Sequence, residues 1–425
     1  MRHKFPSFLI VILFFLILLF VPVYWVVNAD SPPEMSWLEG RQLAGFDSLQ
    51  NRGFIACFKA FARGDVQQGK QIIREQLIER SFQNDLETVL SDQFPARQVL
   101  IKTAKAVDRG IISLAYAALP DPAVPADRNS GYTVTRGRSA IMIRPEPFRP
   151  ATFEAIDARI NNYDALIEKH PEIHFYVYYI ERIQNVSAHP LDGMYPSLER
   201  GRHFDYFLKQ KPEGLSVAKF SINTFEDHLE YFYRTDHHWN IFGVLRAYNG
   251  VYQMIAPNFP TISPERIYTD FITFENIRFR GSSARKAFYP MWEPFTVVDT
   301  NLPPHTVWDN GVEIVYGGSQ QYFAGKYPQD PYYNHYEGFF GGDRPLLEFV
   351  FEGNPDRSLL VIGNSYNNAL MPLLASHYRR TYDVDLRYYP DFSLSAFLAE
   401  HPVDDILVIG ENSVAFNSEN YLIHP

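Results

Sequence analysis

The stretch Ile173-His174-Phe175-Tyr176-Val177-Tyr178-Tyr179-Ile180 is apolar and aromatic with little polar alternation, the pattern of a strand buried on both faces of a parallel sheet. Such a strand needs helices on either side. Ahead of it, Phe153, Ile156, Ile160, Tyr163 and Ile167 recur at helical spacing, so residues 151–169 form an amphipathic helix that His170-Pro171 stops. The unit recurs toward the carboxyl end. Leu359-Leu360-Val361-Ile362 reads as a strand, 366–380 as a helix despite Pro372, 382–388 as a strand, 392–400 as a helix and 405–409 as a strand. Strands alternating with helices predict the α/β class.

The amino terminus sets the compartment. Residues 8–27 are almost unbroken apolar sequence, about the twenty residues a helix needs to cross a bilayer. Arg2 and Lys4 precede the run while Asp30, Glu34 and Glu39 follow it, so the positive-inside bias predicts a single-pass signal anchor over 1–29, in the cell membrane, with the main domain outside the cytoplasm. A signal peptide cleaved near Val27-Asn28-Ala29 is the alternative. A net charge of -10 argues against nucleic acid as a partner. Cys57 is the only cysteine, which rules out an intrachain disulfide and a thiolate metal cluster. The 27 Tyr and 34 Phe suit an aromatic-lined cleft.

Three regions follow from the changes in pattern. Residues 30–120 read as helical, interrupted at Asp92-Gln93-Phe94-Pro95-Ala96-Arg97, where Pro95 either kinks a helix or opens the next one. Asp121-Pro122-Ala123-Val124-Pro125 reads as a linker. The α/β domain then occupies 131–425, with 138–143 as its first strand and a loop-rich insertion at about 257–357 that is placed to wall a substrate groove.

The chemistry gathers in two stretches. In Thr235-Asp236-His237-His238-Trp239-Asn240, an extended backbone points Asp236 and His238 the same way and His237 elsewhere, and Asn240 caps a helix over 241–255. A carboxylate on one ring nitrogen leaves the other free to accept a proton. His237 is the alternative base. Two adjacent histidines also raise a metal site, but no third ligand stands at a telling spacing. The second stretch is Gly363-Asn364-Ser365-Tyr366, which leaves a buried strand and enters a helix. That turn presents Ser365 at the carboxyl end of the sheet, where helix amides can hold an oxyanion. Ser282 and Ser319 are rival hydroxyls after glycine, but neither follows a buried strand. Asn412, in Gly410-Glu411-Asn412, reaches the same edge as a side-chain oxyanion donor.

These residues resemble a known family. Thr235-Asp236-His237-His238-Trp239 matches the signature of the bacterial DHHW proteins and is similar to the Asp-x-His-Trp element of the alginate O-acetyltransferases. Gly363-Asn364-Ser365-Tyr366 and Gly410-Glu411-Asn412 resemble the Gly-x-Ser and Gly-x-Asn blocks of the SGNH hydrolase superfamily, and the element 92–97 is similar to one found upstream in DHHW proteins. The acid and base precede the serine here, as in a circularly permuted arrangement. The turn Tyr388-Tyr389-Pro390-Asp391 lacks the superfamily's separate oxyanion glycine.

The resemblance implies a circularly permuted SGNH-hydrolase-like parallel sheet flanked by helices, an N-terminal helical region and one transmembrane helix. It further implies Ser365 as nucleophile, His238 as base, Asp236 as orienting acid and Asn412 as oxyanion donor, with no metal and no cofactor. The expected activity is O-acetyl transfer through an acyl-serine to an exported or cell-wall polysaccharide, with a multi-pass membrane protein supplying the acyl group. A carbohydrate esterase or deacetylase on the same triad is the rival enzyme. A non-catalytic polysaccharide-binding or assembly protein is the rival of another class.

Overall fold

The computed structural model describes residues 35–36, 41–45, 49, 53–78, 81–94, 97–119, 121–145, 152–186, 201–417 and 419–424. The expected anchor over 8–27 lies outside them, as do Pro95 and the segment 187–200. Among the described residues, no helix is long and apolar enough to cross a membrane. The chain divides into two compact units, Met1–Ile111 and Ile112–Pro425.

In the first unit, helices occupy Gly53–Ala62, Val66–Ile72 and Ser81–Asp92, beside a short pair of strands, Met35–Ser36 and Arg41–Gln42. Asp92 is its polar anchor. The carboxylate takes two hydrogen bonds from the Arg41 guanidinium, at 2.7 and 2.6 Å, and one from Ala44 N–H at 2.9 Å, with Arg97 3.4 Å away. Burial raises its pKa, but these donors and cations outweigh burial and hold it below the usual carboxylate value.

The second unit is built on an eight-stranded sheet. Its strands are β1 (His174–Ile180), β2 (Leu215–Phe220), β3 (Thr306–Asp309), β4 (Val312–Ile314), β5 (Leu346–Val350), β6 (Ser358–Ile362), β7 (Arg380–Val384) and β8 (Asp405–Gly410), in the spatial order β4-β3-β5-β7-β6-β8-β1-β2. From β7 to β2 all neighbours run parallel. The expected parallel sheet is extended into a mixed one, because β5, β3 and β4 join in antiparallel register, Leu346 opposite Val384 and Val307 opposite Phe349. All of β3, β4 and β5 come from the 257–357 stretch, whose short strands alternate weakly and are broken by Gly and Pro. Residues 123–125, 133–135 and 142–143 form a separate three-stranded sheet instead of linker and main-sheet strand.

Helices α1 (Thr152–Lys169), α2 (Ile241–Ile255), α3 (Asn367–Ala375) and α4 (Leu394–Glu400) cover the two faces. The two-residue period of a strand sorts its side chains. Tyr176, Tyr178, Ile180, Leu359, Val361, Leu407 and Ile409 pack with α2 and α3, while Phe175, Val177, Tyr179, Leu360, Ile362, Ile406 and Val408 pack with α1 and α4. Both sides of the central strands are therefore dry, which explains their unbroken apolar runs.

The amino-terminal ends of β6 and β8 are locked by charge. Asp405 is fully buried and receives Arg357 Nε at 2.7 Å, Arg357 Nη2 at 2.8 Å and the Tyr378 hydroxyl at 2.9 Å. His174, at the start of β1, stands 3.4 Å from the same carboxylate, as a strand-end histidine. Replacing Arg357 with Ala leaves a buried carboxylate without its cation, and should destabilise the fold by about 3–5 kcal/mol. Urea unfolding of Arg357→Ala checks this, and the double change Arg357→Met with Asp405→Leu should recover much of the loss.

Candidate functional site

The turn between the short helix Phe225–Tyr231 and α2 carries the acid and both histidines. Phe232 bridges to Trp239, Tyr233 N–H donates to the His238 carbonyl at 3.1 Å, and Asn240 N–H donates to the Tyr231 carbonyl at 2.9 Å, which closes the turn. Asn240 then caps α2 by accepting from Phe242 and Gly243 N–H at 2.9 and 3.2 Å, as expected of an N-cap. Gly243 is required there, since a Cβ would lie 2.2 Å from the Tyr231 carbonyl oxygen.

A second segment pins this turn from outside. Glu293 accepts from Arg234 N–H at 2.9 Å, Thr235 N–H at 2.8 Å and the Thr235 hydroxyl at 2.5 Å. Burial pushes its pKa up to about 7 against these donors. Ser283 and Ala284 N–H both donate to the Thr235 carbonyl, at 3.1 and 3.2 Å. At Gly281 a Cβ would sit 2.3 Å from the Asp236 Cβ, so the clamp closes only around glycine.

Inside the clamp, Asp236 Oδ1 accepts from His238 Nδ1–H at 2.7 Å and from His238 N–H at 3.1 Å, while Oδ2 accepts from Ser282 N–H at 2.5 Å. The carboxylate fixes the tautomer. His238 Nε2 is thereby left as an acceptor, and the Ser365 hydroxyl lies 2.7 Å from it. Residues 127 positions apart in sequence meet in that bond.

Ser365 stands in the turn between β6 and α3. Gly363 lets the chain bend close over Asn367, whose amide nitrogen would be 2.2 Å from a Cβ at that position. Asn367 N–H donates to the Asn364 carbonyl at 2.7 Å, and its side chain donates to Asp383 at 3.0 Å. Ser365 N–H forms no hydrogen bond among the described residues. Tyr336 stacks on the His238 ring, 4.1 Å between centroids, and donates to the Ser365 carbonyl at 3.2 Å. The Tyr366 hydroxyl donates to the His237 carbonyl.

The remaining sequence-derived residues are placed differently. Residues 234–238 form bends, not an extended strand, so His237 turns toward Asp236 instead of away from it. Its Nδ1 lies 3.1 Å from Asp236 Oδ1 and 2.8 Å from the Ser282 hydroxyl, and its ring is 3.9 Å from that of His238. The bond to Ser365 is made by His238. Asn412 reaches the carboxyl edge of β8, beside β6, but its Oδ1 accepts from the Tyr179 hydroxyl at 2.8 Å on the α1 side of the sheet. Among the described residues no bond joins it to Ser365. Asp236, His237 and His238 present ligand atoms all within 4.8 Å of one another, the set a cation would use. Those atoms bond instead to one another and to Ser282.

The roles of Ser282, Glu293 and Tyr336 were missed by sequence reasoning. All three lie in the weakly periodic 257–357 stretch. The glycine before Ser282 was a signal for the tight approach, but it named no partner.

Burial lowers the pKa of His238 to about 4, helped by neighbouring His237 and opposed by Asp236. For Asp236, burial raises the pKa, but the two imidazoles and their hydrogen bonds outweigh it and hold the group well below the usual carboxylate range. At neutral pH the pair is therefore carboxylate and neutral imidazole, the state in which a base can accept a proton.

No protein-family model matches the chain, and no curated protein matches it in sequence. Among solved structures it is similar to Bacillus cereus PatB1 bearing a sulfonyl adduct, with 17% identity and a TM-score of 0.55 over 69% of this chain and 98% of that one. It is similar to a DHHW family protein from Eubacterium siraeum, with 17% identity and a TM-score of 0.52 over 69% of this chain and 94% of that one. A looser overlay, TM-score 0.38 at 12% identity over 66% of this chain and 92% of the other, is with the O-acetyltransferase domain of Pseudomonas putida AlgJ. The overlays with PatB1 and with the DHHW family protein show a shared α/β fold.

A depressed folded-state pKa means that His238 stays neutral until the pH falls through about 4. Imidazole NMR of the intact chain should show its titration midpoint well under the ordinary histidine value of about 6.5. A midpoint at or above that value contradicts the burial assigned to this ring.

Proposed function

We propose that the chain is a serine O-acyltransferase that moves acetyl groups onto an exported or cell-wall polysaccharide. The observation that carries the reading is the 2.7 Å contact from the Ser365 hydroxyl to His238 Nε2, with Asp236 2.7 Å behind the other ring nitrogen. A hydroxyl, a neutral base and an orienting carboxylate in series are the parts of a nucleophilic acyl-transfer site.

In the first half-reaction, Ser365 Oγ attacks the acyl carbonyl as its proton passes to His238 Nε2. The carbonyl π pair moves onto oxygen, where the unbonded Ser365 N–H donates to it, and the Asn412 Nδ2 amide, whose Oδ1 is held by Tyr179, is the second donor in this reading. Collapse of the adduct expels the donor's leaving group, which takes the proton from His238, and leaves acetyl-Ser365. A sugar hydroxyl then repeats the sequence in reverse, giving its proton to His238 and taking the acetyl group. Asp236 stabilises the imidazolium that forms in each half.

The apolar run at 8–27, flanked by Arg2 and Lys4, supports a single-pass anchor in the cell membrane with the α/β body on the extracytoplasmic face. In that setting a multi-pass membrane protein would supply the acyl group, since activated acyl donors are made in the cytoplasm. Hydrolysis of acetyl esters by the same triad is the rival outcome, and it differs only in whether water or a sugar hydroxyl takes the acetyl group.

Incubation with an activated acetyl ester and an oligosaccharide, followed by mass analysis, should yield acetylated sugar. Free acetate alone would mark an esterase. Ser365→Ala should lower turnover by roughly a thousand-fold or more, and unchanged turnover would overturn the assignment. The PatB1 structure bears a sulfonyl adduct. A sulfonyl fluoride should likewise label Ser365 in the wild-type chain and nothing in the alanine variant.

A further inference from the structure

The helix Arg97–Tyr116 has two sides, and packing accounts for only one of them. Asp108 and Ile112 are buried. At 3.6 residues a turn, every charged side chain of the helix, from Arg97 through Lys102, Lys105, Asp108 and Arg109, falls within one half of its circumference. The other half carries Val99, Leu100, Val107, Ile111 and Leu114, which are between 51% and 81% exposed. The smaller residues set among them, such as Ala106 and Gly110, are exposed as well. A helix whose outer side faces water carries polar residues there. An uncharged strip along a helix of 20 residues, about 30 Å long, instead marks a contact surface.

Position and charge say what covers it. Nine residues lead from Val27, at the end of the apolar run, to Ser36, at most about 32 Å of fully extended chain. Ser36 pairs with Arg41, the Arg41 guanidinium holds Asp92 at 2.7 and 2.6 Å, and Arg97, the first residue of the helix, stands 3.4 Å from the same carboxylate. The start of the helix is therefore tied to a point within reach of the bilayer that the apolar run would span. Four cations and one carboxylate give the helix a charge of +3 in a chain of net charge -10. Lys102 and Arg109 border the uncharged half. An apolar face edged by cations is the composition of a helix that lies among lipid headgroups. In a two-fold antiparallel pair with a second copy, the cationic edge would meet its own like, whereas anionic phosphates complement it.

We infer that the helix Arg97–Tyr116 is a membrane-docking surface, lying flat on an anionic phospholipid bilayer with Leu100, Val107, Ile111 and Leu114 among the headgroups and Lys102 and Arg109 at the phosphates. The inference rests on the single-pass anchor reading for bringing the bilayer within reach. It is independent of the chemistry at Ser365.

The test uses the full chain with Cys57→Ser, reconstituted at one chain per disc in nanodiscs of phosphatidylglycerol and phosphatidylcholine. A fluorophore is attached at Leu114→Cys or, on the charged side of the helix, at Gln98→Cys, and lipids carrying a nitroxide near the headgroup act as quenchers. Quenching at position 114 should exceed that at 98 by about two-fold or more, and should fall in discs of phosphatidylcholine alone. Val107→Glu with Ile111→Glu, at exposed positions that the fold tolerates, should abolish the difference, and Val107→Leu with Ile111→Leu should keep it. Equal quenching at the two positions, a difference that survives the two glutamates, or one that is the same in neutral discs overturns the proposal. So does a dimer in detergent that the same glutamates dissociate, since it gives the face to a second copy. Alkaline carbonate washing of the membranes tests the anchor separately. A chain that resists extraction while position 114 stays unquenched keeps its anchor and loses this contact, and a chain that is extracted although 114 is quenched keeps the contact and loses the anchor.

Discussion

A single buried carboxylate organises the end of the sheet where Ser365 and His238 meet. Asp236 is 3% exposed and shared by two imidazoles and the Ser282 amide. An ionised carboxylate in so dry a place survives only if its hydrogen-bonding capacity is filled. Filling it requires donors from two separate segments, the 234–240 turn and the 281–284 turn, to close on one another. Glu293 and Thr235 brace that closure from behind, so the orientation of His238 is inherited from a network that extends well beyond the ring.

The sheet supplies the other half of the geometry. Parallel strands end together at one edge, and the turn after β6 is tight enough to lift Ser365 clear of the core while its neighbour Tyr366 stays 1% exposed. Tyr336 and Tyr366 then box the imidazole, at centroid distances of 4.1 and 5.2 Å. These aromatic contacts exclude water from the ring, and this dehydration, more than any nearby charge, keeps it neutral.

Much of this could be read in the sequence, and the limits have physical causes. The buried strands β1, β6 and β8 announce themselves because burial on both faces leaves no polar alternation, and α2 does so through Asn240 and its apolar spacing. The grouping of Asp236, His238 and Ser365 was legible because each sits at a recognisable junction of strand, turn and helix. The antiparallel strands β3, β4 and β5 were not, since their short runs carry little period and their partners lie far off in the chain. The course of His237 departs from the expected one for a local reason. A two-residue alternation holds only in extended backbone, and residues 234–238 bend. Ser282 and Glu293 act through backbone amides and through position alone, which leave no mark on composition.

The order of the parts along the chain has a consequence for biogenesis. The acid and the base are translated more than a hundred residues before the hydroxyl they serve, and the 281–293 clamp falls between. A nascent chain therefore carries an incomplete set of these side chains until β6 takes its place between β7 and β8. The contact between His238 and Ser365 is thus completed only when strands late in the chain order have entered the sheet.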